Sequence, residues 1–213
     1  MPATEVDEEF VVDPDDLKMP ESPEHRRVTD LIAAVAEQLL PDVAVYRDMN
    51  WYPLDGGNAV GPDVMTLPIG ALTPSAKSYQ QPTNGPLPGV VVEVVSASDS
   101  FTGFLAKTNR YHRLGLAAYI VTIDPDVHGV MRLAGGGGGG YQEWTGRPVP
   151  ELADLRIDVL DGTVVVSLPD GRTFHSAGQM LGEADARAER AERRAAALEA
   201  QLRALGVDPA AST

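Results

Sequence analysis

Asp63 and Glu93 are the residues whose type and setting point most directly to chemistry. Asp63 opens Asp63-Val64-Met65 after Pro62, and Glu93 interrupts Val90-Val91-Val92-Glu93-Val94-Val95. A carboxylate inside a run of five valines is costly to bury unless it meets a cation or a hydrogen-bond donor. Two such acids, followed by Lys107, suggest a magnesium-dependent nuclease site, with manganese as the alternative ion. Magnesium takes hard oxygen ligands, usually one or two carboxylates, and completes its octahedron with water and substrate phosphate. The ion polarises the phosphate and generates hydroxide near neutral pH. A nearby ammonium can stabilise the developing charge or orient the attacking water.

Plainer readings stand beside this one. Asp63 could be a strand-end residue bonded to its own backbone. Glu93 could be buried against an arginine, and Lys107 could be a solvated helix lysine. Ser96, Ser98 and Asp99 read as cap and turn groups, and Tyr111 as a half-buried helix aromatic. Asp124, before Pro125, reads as a turn residue. His25 reads as structural and is left out of the site.

These side chains need a scaffold. Ser22 as cap and Pro23 in the first turn predict a helix over 23–40 with Val28, Leu31, Ile32, Val35, Leu39 and Leu40 on one face, ended by Pro41. Strands are expected at 43–53 and 59–66, joined by a turn at Asp55-Gly56-Gly57-Asn58. Residues 67–88 read as a long connection that could carry recognition. The valine-rich stretch 89–96 reads as a central strand covered on both faces. A helix over about 100–114, capped by Ser98 or Asp99 and ended by Gly115, leads to a buried strand from Ala117 to Asp124. Shorter strands are expected near 128–134, 141–144 and 163–168. The run Gly135–Gly140 reads as a flexible hairpin tip rather than a phosphate cradle, since no lysine or helix follows it. The order of elements predicts an α/β fold with a mixed sheet.

From about residue 179 the pattern changes. Leu181, Ala184, Ala188, Ala191, Ala195, Leu198, Leu202 and Leu205 recur in steps of three and four, rimmed by arginine and glutamate. This heptad seam could fold back on its own domain, but its charged flanks favour pairing, so a homodimer through residues 181–205 is expected. The expected organisation is an acidic lead-in at 1–22, an α/β domain at 23–178, a coiled-coil-like helix at 179–207 and a tail at 208–213.

Composition narrows the function classes. The chain has 213 residues, net charge −14 and no cysteine, which excludes disulfides and thiolate metal sites. Ten acids against three bases in residues 1–30 account for −7 of that charge. No basic patch stands out in the remainder, which argues against tight nonspecific DNA binding. No apolar stretch reaches membrane-spanning length and no signal peptide is evident, so a cytoplasmic, membrane-free protein is expected. A serine or cysteine hydrolase is disfavoured by the missing nucleophile elbow. A zinc site is disfavoured by the scatter of His112, His128 and His175.

Several segments together resemble a known family. They are Pro62-Asp63-Val64, the stretch from Pro88 to Asp99, Lys107 and Tyr111, then Gly115, Tyr119 and Asp124-Pro125. This set resembles the Uma-two family, which is assigned to restriction endonucleases of the PD-(D/E)XK superfamily. The resemblance runs from about Glu24 to Leu168 and is specific between Pro62 and Pro125; His25 is similar to a histidine common in the family but stays out of the site. It implies a restriction-endonuclease-like mixed sheet flanked by helices, acting on DNA with magnesium. It also implies Asp63 and Glu93 as metal-binding acids and the main-chain carbonyl of Val94 as a further ligand. The motif's lysine falls at Val95 here, so the resemblance makes Lys107, on the following helix, the catalytic lysine. The competing expectation is a catalytically silent nuclease fold that serves as an interaction module through its C-terminal helix.

Overall fold

The computed structural model describes residues 22–55, 58–73, 76–83, 85–96, 101–124, 127–133 and 140–205. The lead-in, the proposed caps Ser98 and Asp99, most of the glycine run and the tail lie outside the described residues.

Helix α1 (Pro23–Leu39) begins as its sequence dictates. The Ser22 hydroxyl accepts from the His25 amide at 3.1 Å, and Pro23 occupies the first turn. Ser22→Ala is expected to cost about 1 kcal/mol of stability, measurable by urea denaturation. Val28, Leu31, Ile32 and Val35 are fully buried, so the apolar stripe faces the core.

The main sheet has six strands in the order β1-β3-β5-β6-β7-β8. These are β1 (Val43–Arg47), β3 (Val64–Pro68), β5 (Val91–Val95), β6 (Ala118–Asp124), β7 (Val127–Leu133) and β8 (Tyr141–Glu143). Only β5 and β6 run parallel; helix α2 (Phe101–Arg113) makes the crossover between them. The other neighbours are antiparallel. Valines fill β5 because it is central and both of its faces are covered. Val92 and Val94 join α1 in one apolar cluster, while Val91 joins Tyr111 and Leu116 in the other. Gly115, at φ +74°, ends the α2 turn in the left-handed region, as glycine permits.

Three expectations need correction. The stretch 43–53 is not one strand: Asp48 takes φ +50°, which breaks it into β1 and β2 (Asn50–Tyr52). β2 leaves the main sheet and pairs parallel with β4 (Ser78–Gln80). The expected strand at 59–66 forms late, as β3, with Val60 making only an isolated bridge to Trp51. The connection 67–88 carries a strand that was not expected, β4, anchored by buried Tyr79, whose hydroxyl donates to the Pro86 carbonyl at 2.6 Å.

A second, four-stranded antiparallel sheet has the order β12-β11-β10-β9. It comprises β9 (Pro148–Val149), β10 (Leu155–Leu160), β11 (Thr163–Ser167) and β12 (Thr173–Phe174). Its Leu155, Ile157, Val164, Val166 and Phe174 share the cluster of α1, so the two sheets close one core between them. Arg27 of α1 fastens this sheet by donating to the carbonyls of Val164 and His175, while Glu24 pairs with its guanidinium.

Helix α3 (Ala177–Ala204) follows. It packs against α1 and β12, and within it Met180 is buried. No helix among the described residues is long and apolar enough to cross a membrane.

Candidate active site

The register between β3 and β5 pairs Val64 with Val92 and Met65 with Val91. Extending it by one residue sets Asp63 opposite Glu93, and directly opposed residues project from the same sheet face. The hydrogen bonds agree: the Val94 amide donates to Asp63 Oδ2 at 2.6 Å. The two carboxylates thus belong to adjoining strands and one buried locus.

Helix α2 covers this face and supplies two partners one turn apart. Lys107 Nζ donates to Glu93 Oε2 at 2.6 Å, and Tyr111 Oη donates to Glu93 Oε1 at 2.6 Å. Residues four apart on a helix share a face, so the spacing of Lys107 and Tyr111 lets both reach one carboxylate. The Lys107 side chain remains 29% exposed while that of Glu93 is only 5% exposed, so the lysine lies between solvent and the buried acid. Tyr111 is fully buried rather than half-buried, and its hydroxyl serves Glu93.

His25 was missed by sequence reasoning. Its Nε2 lies 3.4 Å from Asp63 Oδ2, with both side chains nearly buried. Its signals were a place three residues after the cap Ser22, where a structural role explains it equally well, and its similarity to a histidine common in the Uma-two family.

The electrostatics differ between the two acids. Burial pushes Asp63 up, but the His25 hydrogen bond, the Lys107 charge and the Val94 amide together hold it below the usual aspartate value. Glu93 goes the other way and is pushed up to about 7: burial raises it most, the Asp63 charge raises it further, and Lys107 and Tyr111 only partly offset them. Burial, then the charge and hydrogen bond of Glu93, raise Tyr111 well above its ordinary value, so Tyr111 is a neutral donor. The site therefore holds one carboxylate whose ionised form is favoured beside one whose ionised form is disfavoured by burial.

Arg110, next on the same helix, is buried and grips Asp55 through Nε and Nη2 at 2.9 and 2.6 Å. It also donates to the Asn58 carbonyl. This fork pins the segment that leads into Asp63 to the helix that carries Lys107 and Tyr111.

A divalent cation fits this donor set. Two carboxylates with one main-chain carbonyl are hard oxygen donors, and a cation between them would relieve the repulsion that helps raise Glu93. Among the described residues no three His, Asp or Glu side chains form a ready-made cage, so water and substrate would complete the shell. An open cleft of about 490 Å³ lies elsewhere, at the other end of β3 and beside Val43, Pro68, Leu87 and Glu151; it is largely apolar and contains neither acid. Among the remaining candidates, Asp124 ends β6, and Ser98 and Asp99 lie outside the described residues.

None of the curated proteins compared matches this chain. The chain is similar to that in the crystal structure of "a putative nuclease belonging to DUF820" from Anabaena variabilis ATCC 29413, with TM-score 0.48 and 14% identity over 66% of this chain and 79% of that one. Residues 16–151, more than half of the 213, match the model of the Uma2 family, described as "Putative restriction endonuclease". The segment matched includes α1, β3, β5 and α2, which hold His25, Glu93, Lys107 and Tyr111 and, immediately before β3, Asp63, and the chain belongs to the Uma2 family.

Proposed function

We propose that this chain is a metal-dependent nuclease that hydrolyses DNA phosphodiester bonds at Asp63, Glu93 and Lys107. The observation that carries the reading is the buried Glu93 carboxylate, held by Lys107 and Tyr111 one residue from the amide that binds Asp63. Asp63, Glu93 and the Val94 carbonyl would hold magnesium or manganese. The bound ion supplies Lewis acidity toward the phosphate and an acidified water.

The protein's own groups do the positioning. Val94 and His25 fix Asp63 and keep it ionised, ready to take a cation at neutral pH. Tyr111 fixes one oxygen of Glu93 and leaves the other to Lys107. Lys107, set between Glu93 and solvent, would be the group placed to orient the attacking water or meet the charge developing on phosphate.

The test assays the purified chain on linear and supercoiled DNA with magnesium or manganese, beside Asp63→Ala and Glu93→Ala. Cleavage by the unaltered chain and its loss in both variants is expected, with metal binding by calorimetry lost in parallel. Equal activity in all three would sink the assignment.

A second reading has one observation in its favour. The net charge of −14 is unfavourable for gripping a polyanion, as a silent nuclease fold working as an interaction module would tolerate. That reading expects no cleavage with either metal.

A further inference from the structure

Helix α3 offers a surface that the body leaves uncovered. Met180 seats its first turns, but every residue from Arg187 to Leu205 is exposed. At about 1.5 Å per residue this segment projects roughly 28 Å from the body. Leu181, Leu198 and Leu202 on its seam are 55%, 54% and 39% exposed, and Leu205 is 78% exposed.

The charges beside the seam say what covers it. With Leu181, Ala188, Ala195 and Leu202 at heptad position a, the d positions are Ala184, Ala191, Leu198 and Leu205. The e positions are then Asp185, Glu192 and Glu199, and the g positions following Met180 are Arg187, Arg194 and Gln201. Every charge at e is acidic and every charge at g is basic. In a parallel pair, each g residue faces the next e residue across the interface. That sets Arg187 against Glu192 of the partner subunit and Arg194 against Glu199 of the partner subunit. In an antiparallel pair g faces g and e faces e, which stacks arginine on arginine and acid on acid.

We propose that α3 pairs with α3 of a second copy of this chain as a parallel two-stranded coiled coil from Leu181 to Leu205. The alanine layers let the two backbones approach closely, and the leucine layers near the end supply most of the apolar burial. Within one helix, Glu189–Arg193 lies outside the seam, at 3.4 Å, and does not compete. Glu199 already meets Arg203 at 3.1 Å and can accept Arg194 of the partner subunit with its other oxygen. At the foot, the Arg187 charge also acts on exposed Asp170, so the Arg194–Glu199 contact is the cleaner determinant of orientation. A parallel stalk carries both bodies at the same end. On the nuclease reading above, this brings two sites to one stretch of duplex, so that both strands can be cut in one encounter.

The test uses the full chain. Light scattering at tens of micromolar should give twice the 22.6 kDa chain mass. Arg187→Glu with Arg194→Glu, and separately Glu192→Arg with Glu199→Arg, should each give a monomer, and mixing the two variants should restore a dimer. The altered side chains lie on the exposed stalk, so unchanged thermal unfolding of the body is the control for folding. Because the chain has no cysteine, Leu205→Cys should oxidise to a covalent dimer only if the two ends meet. A monomer at that concentration, a trimeric mass, a dimer indifferent to charge reversal, or a dimer that Leu205→Cys fails to link would each overturn the proposal. None of these readouts involves cleavage: an inactive nuclease that dimerises this way retires only the catalytic reading, and an active monomer retires only the coil.

Discussion

Lys107→Met is expected to lower metal-dependent cleavage by about 100-fold or more while magnesium binds at least as tightly as before. On the proposed reading the lysine and a divalent cation would compete for the same oxygen, since Nζ sits 2.6 Å from Glu93 Oε2. Removing the ammonium takes away a like charge from the cation's locus and frees that oxygen. It would also take away the group proposed to orient water or meet the charge on phosphate. Calorimetric titration separates the two effects: affinity holds or rises while the single-turnover rate falls. Weaker metal binding together with lost cleavage would mean that Lys107 only organises Glu93. An unchanged rate would make it a solvated lysine that happens to touch an acid.

Arg110→Ala is expected to destabilise the fold by about 2–4 kcal/mol and to reduce cleavage with it. The arginine is 10% exposed at its side chain and Asp55 is 28% exposed, so truncation leaves a partly buried carboxylate and a stranded Asn58 carbonyl. The range lies below that for a fully buried pair because Asp55 can regain some water. The effect on catalysis follows from placement, since the fork joins the approach to Asp63 to the helix bearing Lys107 and Tyr111. Arg110→Lys should recover only part of the stability, because an ammonium cannot make the two-pronged contact. Urea denaturation midpoints for the three chains check the order. Wild-type stability in Arg110→Ala would show that the loop is held by other means.

The candidate site was partly legible because its acids violate their surroundings. Glu93 among valines and Asp63 before Val64 are exceptions that only a partner could explain, and the α2 spacing put Lys107 and Tyr111 on one face. Arg110 was not legible, and His25 was legible only through the family resemblance, not through its chemistry. Their partners lie far along the chain, Asp55 being 55 residues from Arg110, and each has an ordinary local reading. The same division holds for the fold. The helices and the valine strand declare themselves by periodicity and caps. Strand β10 could also have been read, since Leu155-Arg156-Ile157-Asp158-Val159 alternates before the turn Asp161-Gly162, both with positive φ. Strands β9 and β12 are two residues each, too short for any period to show. The break at Asp48 depends on a left-handed backbone at a residue that does not require one. The Asp48 amide bonds the Asp63 carbonyl across the sheet edge at 3.2 Å, a tertiary contact invisible in local pattern.

One turn of α1 looks in two directions. His25 faces Asp63, and two residues later Arg27 ties down the carbonyls of Val164 and His175, the latter just before the first turn of α3. The stalk is therefore mechanically rooted next to the carboxylate. Met180 and the His175 carbonyl are where α3 meets the body, and Arg27 holds that carbonyl on the same turn of α1 as His25. A label, tag or surface attached at the far end of the stalk pulls on the same lever arm. Immobilising the chain through its body or through its stalk should therefore give different activities.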